Sequence, residues 1–83
     1  MRGLGATRLQ IAAGRAFGIR PQDLVGAIAN ETSVSGKQIG SIEIADAFSL
    51  VEVPAAKADE VMDALRATRL KGRKVKVRRD RFS

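Results

Sequence analysis

Two hydrophobic periods alternate along this chain. In "RLQIAA", residues 8–13, Leu9 and Ile11 fall on one side and Arg8, Gln10 and Ala12 on the other, the period of two that marks a half-buried strand. "SIEIAD", residues 41–46, repeats the pattern with Ile42 and Ile44 inward and Ser41, Glu43 and Ala45 outward. "FSLVEV", residues 48–53, alternates as well, once a phase is chosen. The β-branched Val51 and Val53 suit a core, which puts Phe48, Leu50 and Glu52 on the opposite face. The last such stretch is "RKVKVRR", residues 73–79, with Val75 and Val77 inward and Lys74, Lys76 and Arg78 outward.

Between these stretches the period lengthens to that of a helix. Pro21 stands where a first helical residue belongs, with Asp23 in the first turn to complement the dipole. Leu24, Val25 and Ile28 then line one face. Gly26 weakens this helix by up to about 1 kcal/mol relative to alanine, unless close packing needs the missing side chain. A second helix is expected to open at Pro54. Its Ala58, Val61, Met62 and Leu65 follow at i, i+3, i+4 and i+7, while Lys57, Asp59, Glu60, Asp63 and Arg66 face water. "GRAFGIR" and "SVSGKQIG" read as loops. The predicted order is strand, helix, strand, strand, helix, strand. Right-handed crossovers turn that order into an α+β fold, the ferredoxin-like split βαβ arrangement: a four-stranded antiparallel sheet with both helices on one face and the other face open. Residues 7–79 are expected to form this unit, with 1–6 a linker or leftover and 80–83 a basic tail.

Composition narrows the function classes. Eighty-three residues suffice for one modest core. Without cysteine or histidine there are no disulfides, no thiolate metal sites and no commonest general base. An acid–base enzyme would need Glu43 and Glu52 to work as a pair on adjacent strands. No apolar run approaches the roughly 20 residues that span a bilayer, and the N-terminus lacks a signal-peptide pattern, so a cytoplasmic protein with no membrane partner is expected. The net charge is +6, but residues 69–83 alone carry eight basic groups and one acid, a balance of +7 against −1 for residues 1–68. Such asymmetry points to a polyanion, nucleic acid first. Lysines on an edge strand also block edge-to-edge pairing, although one or two would do.

A split βαβ sheet with a bare face is the frame of the RNA-recognition motif, in which aromatics on the two central strands stack on bases. Here Phe48 takes the first stacking position, Leu50 the place of a second aromatic, and Gln10 the aromatic position of the first strand. One aromatic of three is retained. The blocks "GIRPQDLVGAI", "SGKQIGSIEI", "FSLVEVP" and "LKGRKVKVR", with the Gly-Arg pair after the first strand, closely resemble the divergent RNA-recognition domain at the C-terminus of bacterial DEAD-box RNA helicases of the DbpA or DeaD/CsdA type. The resemblance covers residues 7–79. It implies an accessory module that tethers a helicase to structured, rRNA-like RNA, while separate RecA-like core domains, absent from this sequence, use ATP and Mg to separate strands. In "SGK", residues 35–37, Glu31 occupies the place of the leading glycine of a phosphate-binding loop. The fragment is therefore expected to bind RNA, to hold no cofactor itself and not to turn over ATP. The alternative is a ferredoxin-like protein-interaction or dimerisation module with a non-specific basic tail.

The outward row Lys74, Lys76 and Arg78 is the first candidate for phosphate contact, with Arg79 and Arg81 continuing the track. Phe48 is the stacking candidate, worth about 1–3 kcal/mol per base, and Leu50 offers apolar contact. Gln10 and Arg8 can hydrogen-bond a base edge or a phosphate. Glu43 and Glu52 on the same face repel phosphates and direct RNA toward the final strand. "GRAFGIR" supplies Arg15, Phe17 and Arg20 as a second contact, with Phe17 alternatively folded onto the core as a staple. Lys37 is the weakest candidate.

Overall fold

The computed structural model describes residues 5–80; the assignments made for residues 1–4 and for Arg81 lie outside them. The strands are β1 (Ala6–Ile11), β2 (Ile42–Ile44), β3 (Ser49–Pro54) and β4 (Val77–Arg79), and the helices α1 (Pro21–Glu31) and α2 (Ala58–Ala67). Short 3-10 turns span Arg15–Phe17, Gly36–Gln38 and Ala55–Lys57. The sheet is antiparallel in the order β2-β3-β1-β4. Leu9, Ile11, Val51, Val53 and Val77 meet Leu24, Ile28, Val61, Met62 and Leu65 in one core. Both helices thus cover a single face, and the expected β-α-β-β-α-β fold is present.

Local chemistry fixes the helices. The Asp23 carboxylate accepts the Arg20 backbone N–H at 2.9 Å, satisfying a donor that the start of α1 leaves open. At the other end Thr32 Oγ1 donates to the Ile28 carbonyl at 2.7 Å and accepts the Val34 N–H at 3.0 Å. Beyond α1, Ser33 gives its N–H and its hydroxyl to Glu60 of α2 at 2.8 and 2.9 Å. These two bonds, with Lys57 nearby, hold the Glu60 carboxyl below its ordinary pKa. On α2 the apolar stripe Ala58, Val61, Met62 and Leu65 is buried as its spacing requires.

Two boundaries differ from the sequence reading. The helix expected from Pro54 begins at Ala58, and Pro54 is the last residue of β3. Along β3 the Glu52 N–H turns toward the β2 side, where it bonds the Ser41 carbonyl at 3.0 Å. Pro54, two residues on, would point the same way beyond the end of β2, so its missing N–H costs the ladder nothing.

The final strand is shorter than its alternation. Leu70 and Arg73 exchange backbone bonds of 2.8 and 3.0 Å around Lys71 (φ 51°) and Gly72 (φ 79°), the positive-φ pair of a type I′ hairpin turn. Residues 74–76 then cross to the sheet, and β4 comprises only Val77–Arg79. A strand needs a partner, and β1 leaves the sheet after Ala12, whose N–H makes a last ladder bond to the Lys76 carbonyl at 2.9 Å.

Gly14 is what turns β1 away. A Cβ there would stand 2.8 Å from both the Asp46 carbonyl oxygen and the Phe48 nitrogen, so only glycine lets the two backbones meet. The Arg15 and Ala16 N–H groups then bond the Ala45 and Asp46 carbonyls at 2.7 and 3.0 Å, pinning the Arg15–Phe17 turn to the β2–β3 connection. Below it Ser49, fully buried, donates its hydroxyl to the Ala13 carbonyl at 2.7 Å.

Candidate nucleic-acid interface

Strand register sorts the open face into three rows. Glu43 lies opposite Leu50, Leu50 opposite Gln10, and Gln10 opposite Arg78. A second row sets Glu52 against Arg8, whose guanidinium is 3.7 Å from the Asp80 carboxylate. One step past the Ile11↔Ser49 and Ile11↔Val77 pairs, Phe48 and Lys76 fall on either side of Ala12. The phase chosen for "FSLVEV" therefore holds, with Ser49, Val51 and Val53 buried and Phe48 39% exposed. Phe48, Leu50, Gln10, Arg8, Lys76 and Arg78 share one surface.

The rows differ in charge. Glu52 and Asp80 flank Arg8 and offset it, whereas the row beside Ala12 carries Lys76 and no carboxylate. At the same end of the sheet stand the Arg15–Phe17 turn and the segment that leads into β4. The Arg73 guanidinium carbon lies 4.8 Å from the centre of the Phe17 ring, within cation–π range. Phe17 is thus an exposed ring at 44% and not the core staple. Arg15 bonds Asp46 at 3.2 Å and the Ile44 carbonyl at 2.9 Å; Arg20 is exposed at the start of α1. Among the described residues no carboxylate lies within ion-pair distance of Arg73, Lys74, Lys76 or Arg78.

Two candidates are placed differently from the expectation, and the weakest candidate stands apart from the rest. Arg79 lies opposite Leu9, on the helix-covered side, and its guanidinium is 3.0 Å from Asp59 of α2. It does not extend the basic row, because the alternation that sends Val77 inward sends Arg79 inward too. Lys74 is exposed but precedes β4, so it is not held in register with Lys76 and Arg78. Lys37, exposed on the Gly36–Gln38 turn, approaches β2 from the opposite end of the sheet to Phe48.

Beside β4 a cleft of about 490 Å³ is lined by Gln10, Ala12, Arg66, Val75, Lys76 and Arg78 among others. On its helix side Arg66 donates through Nε and Nη2 to the Val77 carbonyl at 3.2 and 2.7 Å, satisfying an acceptor that the edge strand would otherwise expose. Arg73 was not singled out by sequence, and Val75 only as an inward residue of the last strand. The Lys-Gly dipeptide before Arg73 was the available signal, since it suits a hairpin turn rather than a strand start. Among the described residues no group of acidic side chains is placed to hold a metal ion, and no helix is long and apolar enough to cross a membrane.

Residues 8–79 match the family model described as the DbpA RNA binding domain. The chain belongs to this family. Relatives of the DbpA-type domain include the ATP-dependent RNA helicase DeaD of Mycobacterium tuberculosis, 39% identical over 66 residues and 80% of this chain. That of Escherichia coli K12 is 36% identical over 61 residues, 74% of the chain, and that of Buchnera aphidicola (Schizaphis graminum) is 30% identical over 69 residues, 83% of the chain. The chain spans only 10–12% of the length of these relatives. For a DbpA-family domain RNA is the partner class, and the end of the sheet bearing Phe48 and Lys76 is where exposed rings and unneutralised cations converge.

Proposed function

We propose that this domain tethers a cytoplasmic DEAD-box ATP-dependent RNA helicase to structured RNA of the ribosomal kind. The observation that carries the reading is the convergence of Phe48, Lys76, Arg78 and the Phe17–Arg73 pair at one end of the open face. On this reading Lys76 and Arg78 contact phosphates, Phe48 stacks on a base over Leu50, and Gln10 meets a base edge. The exposed Arg15–Asp46 pair is weak enough in water to exchange its carboxylate for a phosphate. Arg20 and Lys74 extend the positive field without fixed geometry, and Arg8, beside Asp80, contributes least.

The distribution of acids favours a folded RNA over a long single strand. A strand laid across all four β-strands would pass Glu43, Glu52 and Asp80, each repelling its phosphates. An RNA hairpin or junction docked at the Phe48 end avoids these three and meets Asp46 instead, whose charge Arg15 offsets at 3.2 Å. The domain then supplies attachment, and ATP and Mg are the business of core domains elsewhere in the parent protein.

The test is a titration of the 83-residue chain with rRNA-type hairpins and with a mixed-sequence DNA duplex of equal charge. Tighter binding to at least one hairpin is expected. Equal affinity for both would reduce the function to generic polyanion attraction, and failure to bind either would favour a protein-interaction module.

A further inference from the structure

The two edges of the sheet are finished differently. Along β4 the outward carbonyl of Val77 is already held by Arg66. Along β2 the ladder to β3 runs through Ser41, whose carbonyl accepts the Glu52 N–H at 3.0 Å, and Ala45, whose N–H reaches the Phe48 carbonyl at 2.9 Å. Alternation therefore turns the backbone of Ile42 and Ile44 away from the sheet. Of the four groups they present, the Ile44 carbonyl accepts Arg15 Nη2 at 2.9 Å and keeps a second lone pair. The Ile42 N–H, the Ile42 carbonyl and the Ile44 N–H have no partner among the described residues.

The side chains of this edge carry a pattern of their own. Ile42 and Ile44, with Ile39 before them, are half-buried aliphatics at the margin of the core. Between them Glu43 is exposed on the open face, and its carboxylate makes no ion pair or hydrogen bond among the described residues. Glu52 turns its carboxylate toward the same strand, accepting the Ser41 N–H at 3.4 Å. Lys37 lies on the turn that precedes β2, and Arg15, at the other end, is offset by Asp46.

We propose that the β2 edge docks an extended basic segment of a partner protein as a fifth antiparallel strand. Its residues alternate aliphatic and cationic. The aliphatics lie beside Ile42 and Ile44 on the helix side, and a lysine or arginine stands opposite Glu43 on the open side. Backbone bonds supply the affinity of such strand addition, and the alternate side chains supply the selection. Opposite charges facing across strands stabilise the pair, and like charges destabilise it. That rule disfavours a second copy joined β2 to β2, because the register that bonds Ile42 to Ile44 sets Glu43 against Glu43. The chain's own Val75-Lys76-Val77 has the right alternation, but Arg66 occupies the Val77 carbonyl, and head-to-tail joining of β4 to β2 need not close. The site is on the opposite edge of the sheet from β4 and takes nothing from the RNA reading, so either can fail alone.

The test titrates the isotope-labelled chain with a capped peptide of about six residues, a usual strand length, in which valine and lysine alternate. Its glutamate counterpart and the lysine peptide N-methylated at its valines, whose N–H groups face β2 in this register, are the comparisons. The lysine peptide should shift the amides of Ile42, Glu43 and Ile44 and slow hydrogen exchange at the Ile42 and Ile44 N–H groups. The methylated peptide, with the same charge and side chains, should do neither. Glu43→Lys should weaken the lysine peptide by about threefold or more and turn the preference to the glutamate peptide. Equal responses to the methylated and unmethylated peptides, shifts centred away from β2, or no binding overturns the proposal. A peptide-free dimer that protects the same two N–H groups makes a second copy the occupant and overturns it as well. If Glu43→Lys fails to fold, the methylated comparison in the wild type decides alone.

Discussion

Two cations close together in the sequence are set by the structure on opposite sides of the sheet, which separates position from composition. Lys76 stands on the open face beside Ala12, and Arg79 points under the sheet to Asp59. Lys76→Gln and Arg79→Gln each remove one positive charge, so a model based on net charge alone predicts equal effects. The geometry predicts unequal ones. Loss of one phosphate contact lowers the slope of log affinity against log salt by about 0.7 for single-stranded RNA and about 0.9 for duplex. Between about 50 and 200 mM salt the ratio of wild-type to Lys76→Gln affinity should therefore change by about 2.6-fold if the contact is to a single-stranded loop and about 3.5-fold if it is to a stem. Arg79→Gln should leave the slope at the wild-type value. It breaks an ion pair whose members are 52% and 82% exposed, a contribution of no more than about 1 kcal/mol and commonly less in water. The assay is affinity for an rRNA-type hairpin at four or five salt concentrations, with thermal melting of both variants alongside. A slope flattened equally by both substitutions would refute the placement of Arg79 and the parity on which it rests.

Other substitutions test the parts separately. Ser49→Ala removes the buried bond to the Ala13 carbonyl and should cost about 1–3 kcal/mol, lowering the melting temperature by several degrees or more for a domain of this size; an unchanged melt would mean that the carbonyl finds another donor. Phe48→Ala should weaken RNA binding by about 1–3 kcal/mol with little change in stability, and a large fall in melting temperature instead would make the ring part of the core. For Glu60, a folded-state pKa held down by Ser33 means a stabilising contribution that is present above the ordinary glutamate pKa, about 4.3, and lost as pH falls through the lower folded value. Glu60→Gln should accordingly flatten the acid limb of a stability-against-pH curve, and an acid limb identical to wild type would exclude the Ser33 bonds as its source.

The parts of this fold that were legible in sequence are those that repeat. Period-two alternation gave the four strands and their facing, down to the choice that buried Val51 and exposed Phe48. The i, i+3, i+4, i+7 spacing gave the buried stripe of α2 residue for residue. The failures come from places where a tertiary contact overrides local pattern. "RKVKVRR" alternates throughout, yet only its end finds a partner, because Gly14 has already carried β1 off the sheet. Arg79 was misplaced by counting charges where the alternation itself, two steps on from Val77, already pointed it inward. Ser49 in the core has no linear signal, since its need for burial is created by the Ala13 carbonyl across the sheet. The Phe17–Arg73 stack joins two loops distant in sequence, and neither residue announces the other.

The central claim is that register and parity collect exposed rings and unneutralised cations at one end of the open sheet face, and that RNA binds there. Backbone amide chemical-shift mapping during titration with an rRNA-type hairpin tests it most directly. The largest shifts should fall on Gln10, Ala12, Phe48, Lys76, Arg78 and the Arg15–Phe17 turn, while Asp59, Asp63 and the rest of the outer face of α2 stay still. Shifts centred on the outer faces of the helices, or on the Gly36–Gln38 end of the sheet, would contradict it.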